Sequence, residues 1–189
     1  MTSGPMQSRP LDCPNPYSFR TKVGRVIWGG VWLLLFRPTP RSLGAWRKGL
    51  LRMFGAKMGR TSWVHPSVRI EVPWKLRVGE ATFIDRNVLL YNHHGLNIGD
   101  RCTISQGVFL CSTSHDYTMT TMPVIGKTIV VEDDVWLCAE AFVAPGVLIG
   151  RGAVVGARAA VFTDIHPWTV VGGNPARFIK NRTLREPTS

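Results

Sequence analysis

The chain has 189 residues, with 44% hydrophobic and 19% charged side chains, which fits one folded domain with a small appendage and excludes a disordered or collagen-like chain. Its formal charge of +11 is uneven: residues 1–63 hold eleven Lys/Arg against the single acid Asp12, residues 64–176 hold eight against ten acids, and residues 177–189 hold four against one. A nucleic-acid binder carries its basic residues on the folded recognition surface, so the slightly acidic middle argues against a nucleic-acid partner.

In chain order, residues 1–17 read as a flexible N-terminus and residues 18–60 as a helical appendage, basic and aromatic. Trp28, Trp32, Leu33 and Phe36 supply its apolar bulk, ringed by Arg20, Lys22, Arg25, Arg37, Arg41, Arg47, Lys48 and Arg52, while Gly29-Gly30 weakens a continuous helix. The apolar run Val26–Phe36 falls short of the ~18 residues that span a bilayer, and no small-residue cleavage site follows it. Two roles stay open for this segment: a cap on an open end of the fold, and peripheral attachment to an anionic leaflet. The four cysteines, Cys13, Cys102, Cys111 and Cys138, form no CxxC pair, so neither a zinc knuckle nor a disulfide framework is expected. The expected location is the cytoplasm, at the inner membrane face if the appendage attaches there.

Residues 61–176 repeat with a period of six. Every sixth residue from Val131 is aliphatic (Val131, Leu137, Val143, Ile149, Val155, Val161), and four residues after each stand Val135, Ala141, Val147, Ala153, Ala159 and Ile165. Upstream the register recurs at Val78, Ile84 and Leu90, then at Ile98, Ile104 and Leu110. Neither a helix period of 3.6 nor a strand period of 2 accounts for this. Hexads fit the faces of a triangular β-solenoid, three to a coil, which predicts about five coils over residues 64–165. Gly79, Gly99, Gly150 and Gly156 are expected at corners needing backbone freedom. The register breaks at Asn92-His93-His94-Gly95, and again between Leu110 and Val131, where a loop over residues 111–129 carries Ser114-His115-Asp116-Tyr117. Solenoid insertions commonly build sites. Residues 177–189 read as a C-terminal tail.

The hexads, the Val135-Trp136-Leu137 turn, Val143-Ala144-Pro145-Gly146-Val147 and Val171-Gly172-Gly173-Asn174-Pro175-Ala176 resemble those of the hexapeptide-repeat acyltransferases. Ser114-His115-Asp116, Phe54-Gly55-Ala56-Lys57 and Pro73-Trp74-Lys75-Leu76 are similar to the colanic acid biosynthesis acetyltransferase branch. The resemblance covers about residues 20–182. It implies a mainly β fold, a left-handed parallel β-helix of hexapeptide repeats with an N-terminal helical appendage. It also implies acetyl-CoA as co-substrate and a homotrimer with active sites between adjacent solenoids; no metal is expected, on the histidine spacing given below.

Acetyl transfer from a thioester to a sugar hydroxyl needs a general base, and the resemblance assigns that role to His115. Asp116 or a backbone carbonyl is the orienter of its ring, and Asp116 is also a candidate acceptor-binding residue. A backbone amide at Ala139 is implied to face the thioester, with the pantetheine arm running past Ala157; both are also small enough to be explained by coil packing. Trp136 is either a wall of the cofactor groove or a packing residue of the trimer. Asp85 stands where related sugar acetyltransferases carry an acceptor-binding Asn, and Arg177 and Lys180 are candidates for the cofactor's phosphates.

Two rival readings remain. Some hexapeptide-repeat proteins are zinc carbonic anhydrases, but five residues after His115 stands Thr120, and adjacent His93 and His94 alternate faces. A non-catalytic scaffold would not need His115. The leading reading is an O-acetyltransferase acting on a carbohydrate acceptor, free or lipid-linked, in exopolysaccharide assembly.

Overall fold

The computed structural model describes residues 16–185; Cys13, nearly all of the expected N-terminal segment 1–17, and residues 186–189 lie outside the described residues. The core is a triangular prism of three parallel sheets. Face A stacks Lys57–Met58, Leu76–Val78, Leu96–Ile98, Ile129–Val131 and Leu148–Ile149. Face B stacks Trp63–Val64, Phe83–Ile84, Thr103–Ile104, Trp136–Leu137, Val154–Val155 and Thr169–Gly172, and face C stacks Arg69–Ile70, Leu89–Tyr91, Phe109–Cys111, Phe142–Val143 and Ala160–Val161. The sixth-residue aliphatics all point inward and are buried, as are the residues four positions after those from Val131 onward. Each face thus contributes one aliphatic per coil to a continuous column, and burying each contributes about 1.5–3 kcal/mol.

Coil length varies where the register breaks. Face-A partners are 20 residues apart from Lys57 to Arg77 and from Arg77 to Asn97, then 18 apart from Val130 to Leu148. The two additional residues in the early coils sit at the corner between faces C and A. Asn92 is buried there, its side-chain oxygen accepting from Val72 N at 3.0 Å and its amide donating to Val72 O at 2.8 Å. The first solenoid strand, Lys57–Met58, begins ahead of the boundary expected at residue 61. The expected tail opens with a strand, Arg177–Asn181, paired antiparallel to Thr169–Gly172.

The corner glycines serve a purpose other than the expected one. Gly79, Gly99, Gly150 and Gly156 are absent from the left-handed backbone positions, which are filled by Ala81, Asn87, Arg101, Asp134, Glu140 and Arg158, among others. What Gly79 and Gly99 provide is space, since an added Cβ would come within 2.1 Å of Asp100 Oδ1 and 2.4 Å of Asp133 Oδ1. Those carboxylates cap the preceding coil's backbone at the A–B corner. Asp100 Oδ1 accepts from Glu80 N at 2.7 Å, Asp133 Oδ1 from Asp100 N at 3.0 Å, and Glu80 from Arg60 N and Thr61 N at 3.0 Å each. These bonds hold the Glu80 carboxyl down to about 2. Glu80, Asp100 and Asp133 are therefore structural acids.

The appendage forms helix α1 (Phe19–Val31), a single π-type turn (Trp32–Phe36) and helix α2 (Gly44–Met53). Ser18 caps α1 by accepting from Thr21 N at 3.3 Å, and the helix continues through Gly29-Gly30. It lies against the first coil, where Trp28 Nε1 donates to Ile70 O at 2.6 Å and Trp32 Nε1 to Val68 O at 2.8 Å. From α2, Arg47 is fully buried: it donates to Val64 O at 2.9 Å, Pro40 O at 2.8 Å, Arg41 O at 3.0 Å and Thr39 Oγ1 at 3.0 Å. Burial with no acid beside it pulls the guanidinium below its usual value. Trp28, Phe36 and Arg47, in the segment that the sequence leaves open between a cap and a membrane attachment, are thus turned inward onto the solenoid.

Candidate active site

The long break in the register folds as a hairpin, Thr113–His115 paired with Val124–Gly126, leaving the corner between faces C and A. Ser112 anchors its base by donating to Tyr91 O at 3.1 Å and accepting from His94 N at 2.9 Å. Gly126 is required there, because an added Cβ would meet His94 Nδ1 at 2.2 Å. His115 ends the first arm, exposed, with its Nδ1 2.7 Å from Met122 O. A carbonyl only accepts, so Nδ1 carries a proton, and in the neutral ring Nε2 is the nitrogen with the lone pair. Asp116 is not the orienter: its Oδ1 accepts from Thr118 N at 3.0 Å and Thr118 Oγ1 at 2.6 Å, bonds that lower its pKa. The Met122 carbonyl, seven residues on, holds the ring because the loop folds back, and no residue type marks that in advance.

The other candidates lie along the corner between faces B and C. In each coil this corner is a four-residue turn; one runs from Cys138 to Ala141, with Ala141 N donating to Cys138 O at 3.3 Å and Glu140 at φ 59°. The second turn residue is Pro66, Arg86, Gln106, Ala139 or Ala157 in successive coils. Arg86 N is used by Asp85 Oδ1 at 2.7 Å, but the amides of Gln106, Ala139 and Ala157 donate to no acceptor among the described residues. The result is a row of outward N–H groups, one coil or ~4.8 Å apart. Small side chains at Ala139 and Ala157 leave those two amides open to an extended ligand. Sequence reading could have found the row by aligning the turns and noting where Pro66 removes the donor.

Trp136 projects outward from face B beside this row, its Nε1 donating to Ser105 Oγ at 3.0 Å. It shares a register row with Val154, Val170 and Lys180. Lys180 and Arg177 are both exposed on the added strand and extend the same face. The residues present therefore fit acetyl-CoA as a substrate: amides for the thioester and pantetheine, an indole wall, and cations for phosphate. Within one chain, however, His115 leaves the C–A corner and the amide row follows the B–C corner, with face C between them.

His94 Nδ1 lies 3.1 Å from Thr113 Oγ1, while His93 is buried between the rings of Tyr17 and Tyr91. Neither His93 ring nitrogen has a hydrogen-bond partner, and burial lowers its pKa to about 4. Among the described residues, no group of three His, Cys, Asp or Glu is arranged to hold a metal ion.

No protein-family model matches the chain. Over 160 residues it is 41% identical to WcaF, the protein named as a colanic acid biosynthesis acetyltransferase in Escherichia coli (strain K12), covering 85% of this chain and 88% of that one. The galactoside O-acetyltransferase of the same organism is 28% identical over 74% of this chain and 70% of its own. The crystal structure of the hexapeptide-repeat acetyltransferase VCA0836 from Vibrio cholerae O1 biovar eltor, complexed with acetyl-CoA, superposes with a TM-score of 0.80 at 30% identity, over 89% of this chain and 92% of that one. The chain belongs to the hexapeptide-repeat acetyltransferases, left-handed parallel β-helix enzymes whose acetyl donor is acetyl-CoA. Within that class it resembles the colanic acid biosynthesis acetyltransferases.

Proposed function

We propose that this enzyme moves an acetyl group from acetyl-CoA to a hydroxyl of a saccharide used in exopolysaccharide assembly, in a cleft shared by adjacent subunits of a C3 trimer. The observation that carries the reading is the His115 Nδ1–Met122 O bond of 2.7 Å, which leaves Nε2 as a proton acceptor. Nε2 takes the acceptor hydroxyl's proton as that oxygen attacks the acetyl carbonyl carbon. Ala139 N–H donates to the oxygen on which negative charge develops. As the carbon–sulfur bond breaks, His115 returns the proton to the departing sulfur, so the acetyl ester and the CoA thiol are the products. Ala157 N–H and Trp136 line the pantetheine arm, and Arg177 and Lys180 meet phosphate. Asp85 and Asp116 each use one carboxylate oxygen in their own turn, and the other accepts from a sugar hydroxyl.

Sharing between subunits is supported by the separate corners and by apolar surface that needs a cover. Tyr117, Met119 and Ile125 are exposed on the hairpin, and Phe109, Phe142 and Phe162 form an outward aromatic file on face C. The test is complementation between two inactive variants, His115→Ala and Ala139→Pro. In randomly mixed trimers about a quarter of the sites combine an intact His115 from one subunit with an intact Ala139 from the next. Recovery of about that fraction of wild-type thiol release supports the shared cleft. No recovery in verified mixed trimers refutes it.

A further inference from the structure

Helix α1 is apolar on both sides. Its inner side seats Trp28 on the first coil. Its outer side carries Phe19, Val23, Val26, Ile27, Leu33 and Leu34, all exposed, with Phe19 at 80%, Val26 at 77% and Leu34 at 70%. The spacing i, i+4, i+7, i+8 places the first four on one stripe, which the π-type turn continues through the two leucines. The solvent side of a packed helix is ordinarily polar, and this one is not. Trp46 and Met53 extend the exposed apolar surface onto α2.

Charge completes the pattern. Residues 16–70 contain eleven Lys/Arg and no Asp or Glu. Arg25 is engaged by Glu71 at 3.1 Å and Arg47 by buried carbonyls, whereas Arg20, Lys22, Arg37, Arg41 and Arg52 are exposed. Beside α1 runs a cleft of about 550 Å³, with Val26 and Leu33 on its apolar wall and Lys22, Arg25, Arg69 and Glu71 on its polar side, where Glu71 pairs with both arginines.

We propose that this N-terminal cap docks the solenoid onto an anionic lipid bilayer, with the outer face of α1 in the boundary between headgroups and acyl chains and the exposed cations against lipid phosphates. No helix among the described residues is long and apolar enough to cross a membrane, so the attachment is in-plane. A second copy of the cap is the poorer occupant, because it would set one strongly basic surface against another. The proposal stands on the cap alone and does not depend on which acceptor is acetylated.

Flotation of the full-length protein with phosphatidylcholine vesicles, with and without phosphatidylglycerol, at low and high salt, tests it. The expected result is binding to the phosphatidylglycerol vesicles at low salt, weakened at high salt. Val26→Glu with Leu34→Glu should lower partitioning by about tenfold or more. Arg20→Gln with Arg37→Gln should lower it about thirtyfold, at roughly fivefold per cation. Melting temperature and mass by light scattering should match the wild type in both variants. If the apolar pair fails to fold, the cationic pair, altered only at exposed side chains, decides the matter. Three results overturn the proposal: no binding to phosphatidylglycerol vesicles at low salt, binding unchanged by a folded variant pair, or dissociation of a larger assembly by the apolar pair, which assigns the face to a second copy.

Discussion

Replacing Ala139 by proline deletes one N–H and little else. Ala139 is the second residue of its four-residue turn, the position whose φ proline already satisfies, with Glu140 at φ 59° completing a type II pattern. The chain accepts proline at the equivalent place in the first coil, where Pro66 lies in a turn closed by Val68 N donating to His65 O at 3.1 Å. The deleted donor has no acceptor among the described residues, so no folded-state bond is lost. Restricting the unfolded chain at a compatible site stabilises by about 0.4–1 kcal/mol, which raises Tm by a degree or more. Loss of one preorganised oxyanion donor lowers turnover by about 10²–10³. The assay is release of CoA thiol with acetyl-CoA and a panel of saccharide acceptors, beside a melting curve. Ala157→Pro is the control: it deletes the neighbouring amide, so it should weaken acetyl-CoA binding and leave kcat nearly intact. An Ala139→Pro enzyme with wild-type kcat and a Tm at or above the wild-type value would remove the Ala139 amide from the mechanism.

His115→Ala should lower kcat by about 10²–10⁴ while the KM for acetyl-CoA stays near the wild-type value, measured by the same thiol release. Arg47→Ala leaves the carbonyls of Val64, Pro40 and Arg41 without their donor and should cost about 3–5 kcal/mol in urea unfolding; a loss under about 1 kcal/mol would refute the bracing role. Arg47→Lys should recover less than half of that, since an ammonium cannot reach all four acceptors. His93 has a folded pKa of about 4, below the unfolded value, so protonation favours the unfolded chain. Both states are neutral above about pH 6.5, and stability is lost as pH falls from there toward 4, by up to about 3 kcal/mol. His93→Phe should flatten that part of the urea-midpoint profile, and an unaltered slope would contradict the assignment.

The six-residue period was legible without coordinates because each coil repeats one physical demand, an aliphatic at each inward position, so Ile84, Ile104, Leu137 and Val155 announce a column before it is seen. His115 was legible for a related reason: an insertion stands out against a strict repeat. What holds its ring was not, because Met122 acts through a main-chain carbonyl that every residue type carries. The free amides of Ala139 and Ala157 are similarly silent in a side-chain alphabet, and only the stacking of turns reveals which N–H groups lack an acceptor. Asp116 shows the converse, a side chain with suitable chemistry beside His115 that tertiary structure turns onto Thr118. The appendage divides the same way. Composition established that it is basic and apolar, but a helix has two sides, and only packing decided that Trp28, Phe36 and Arg47 face the solenoid while Phe19, Val26 and Leu34 face outward. Sequence by itself determined the repeat and the chemistry on offer, because both are local. Partner atoms and direction came from the tertiary fold, because they depend on residues brought together from different coils.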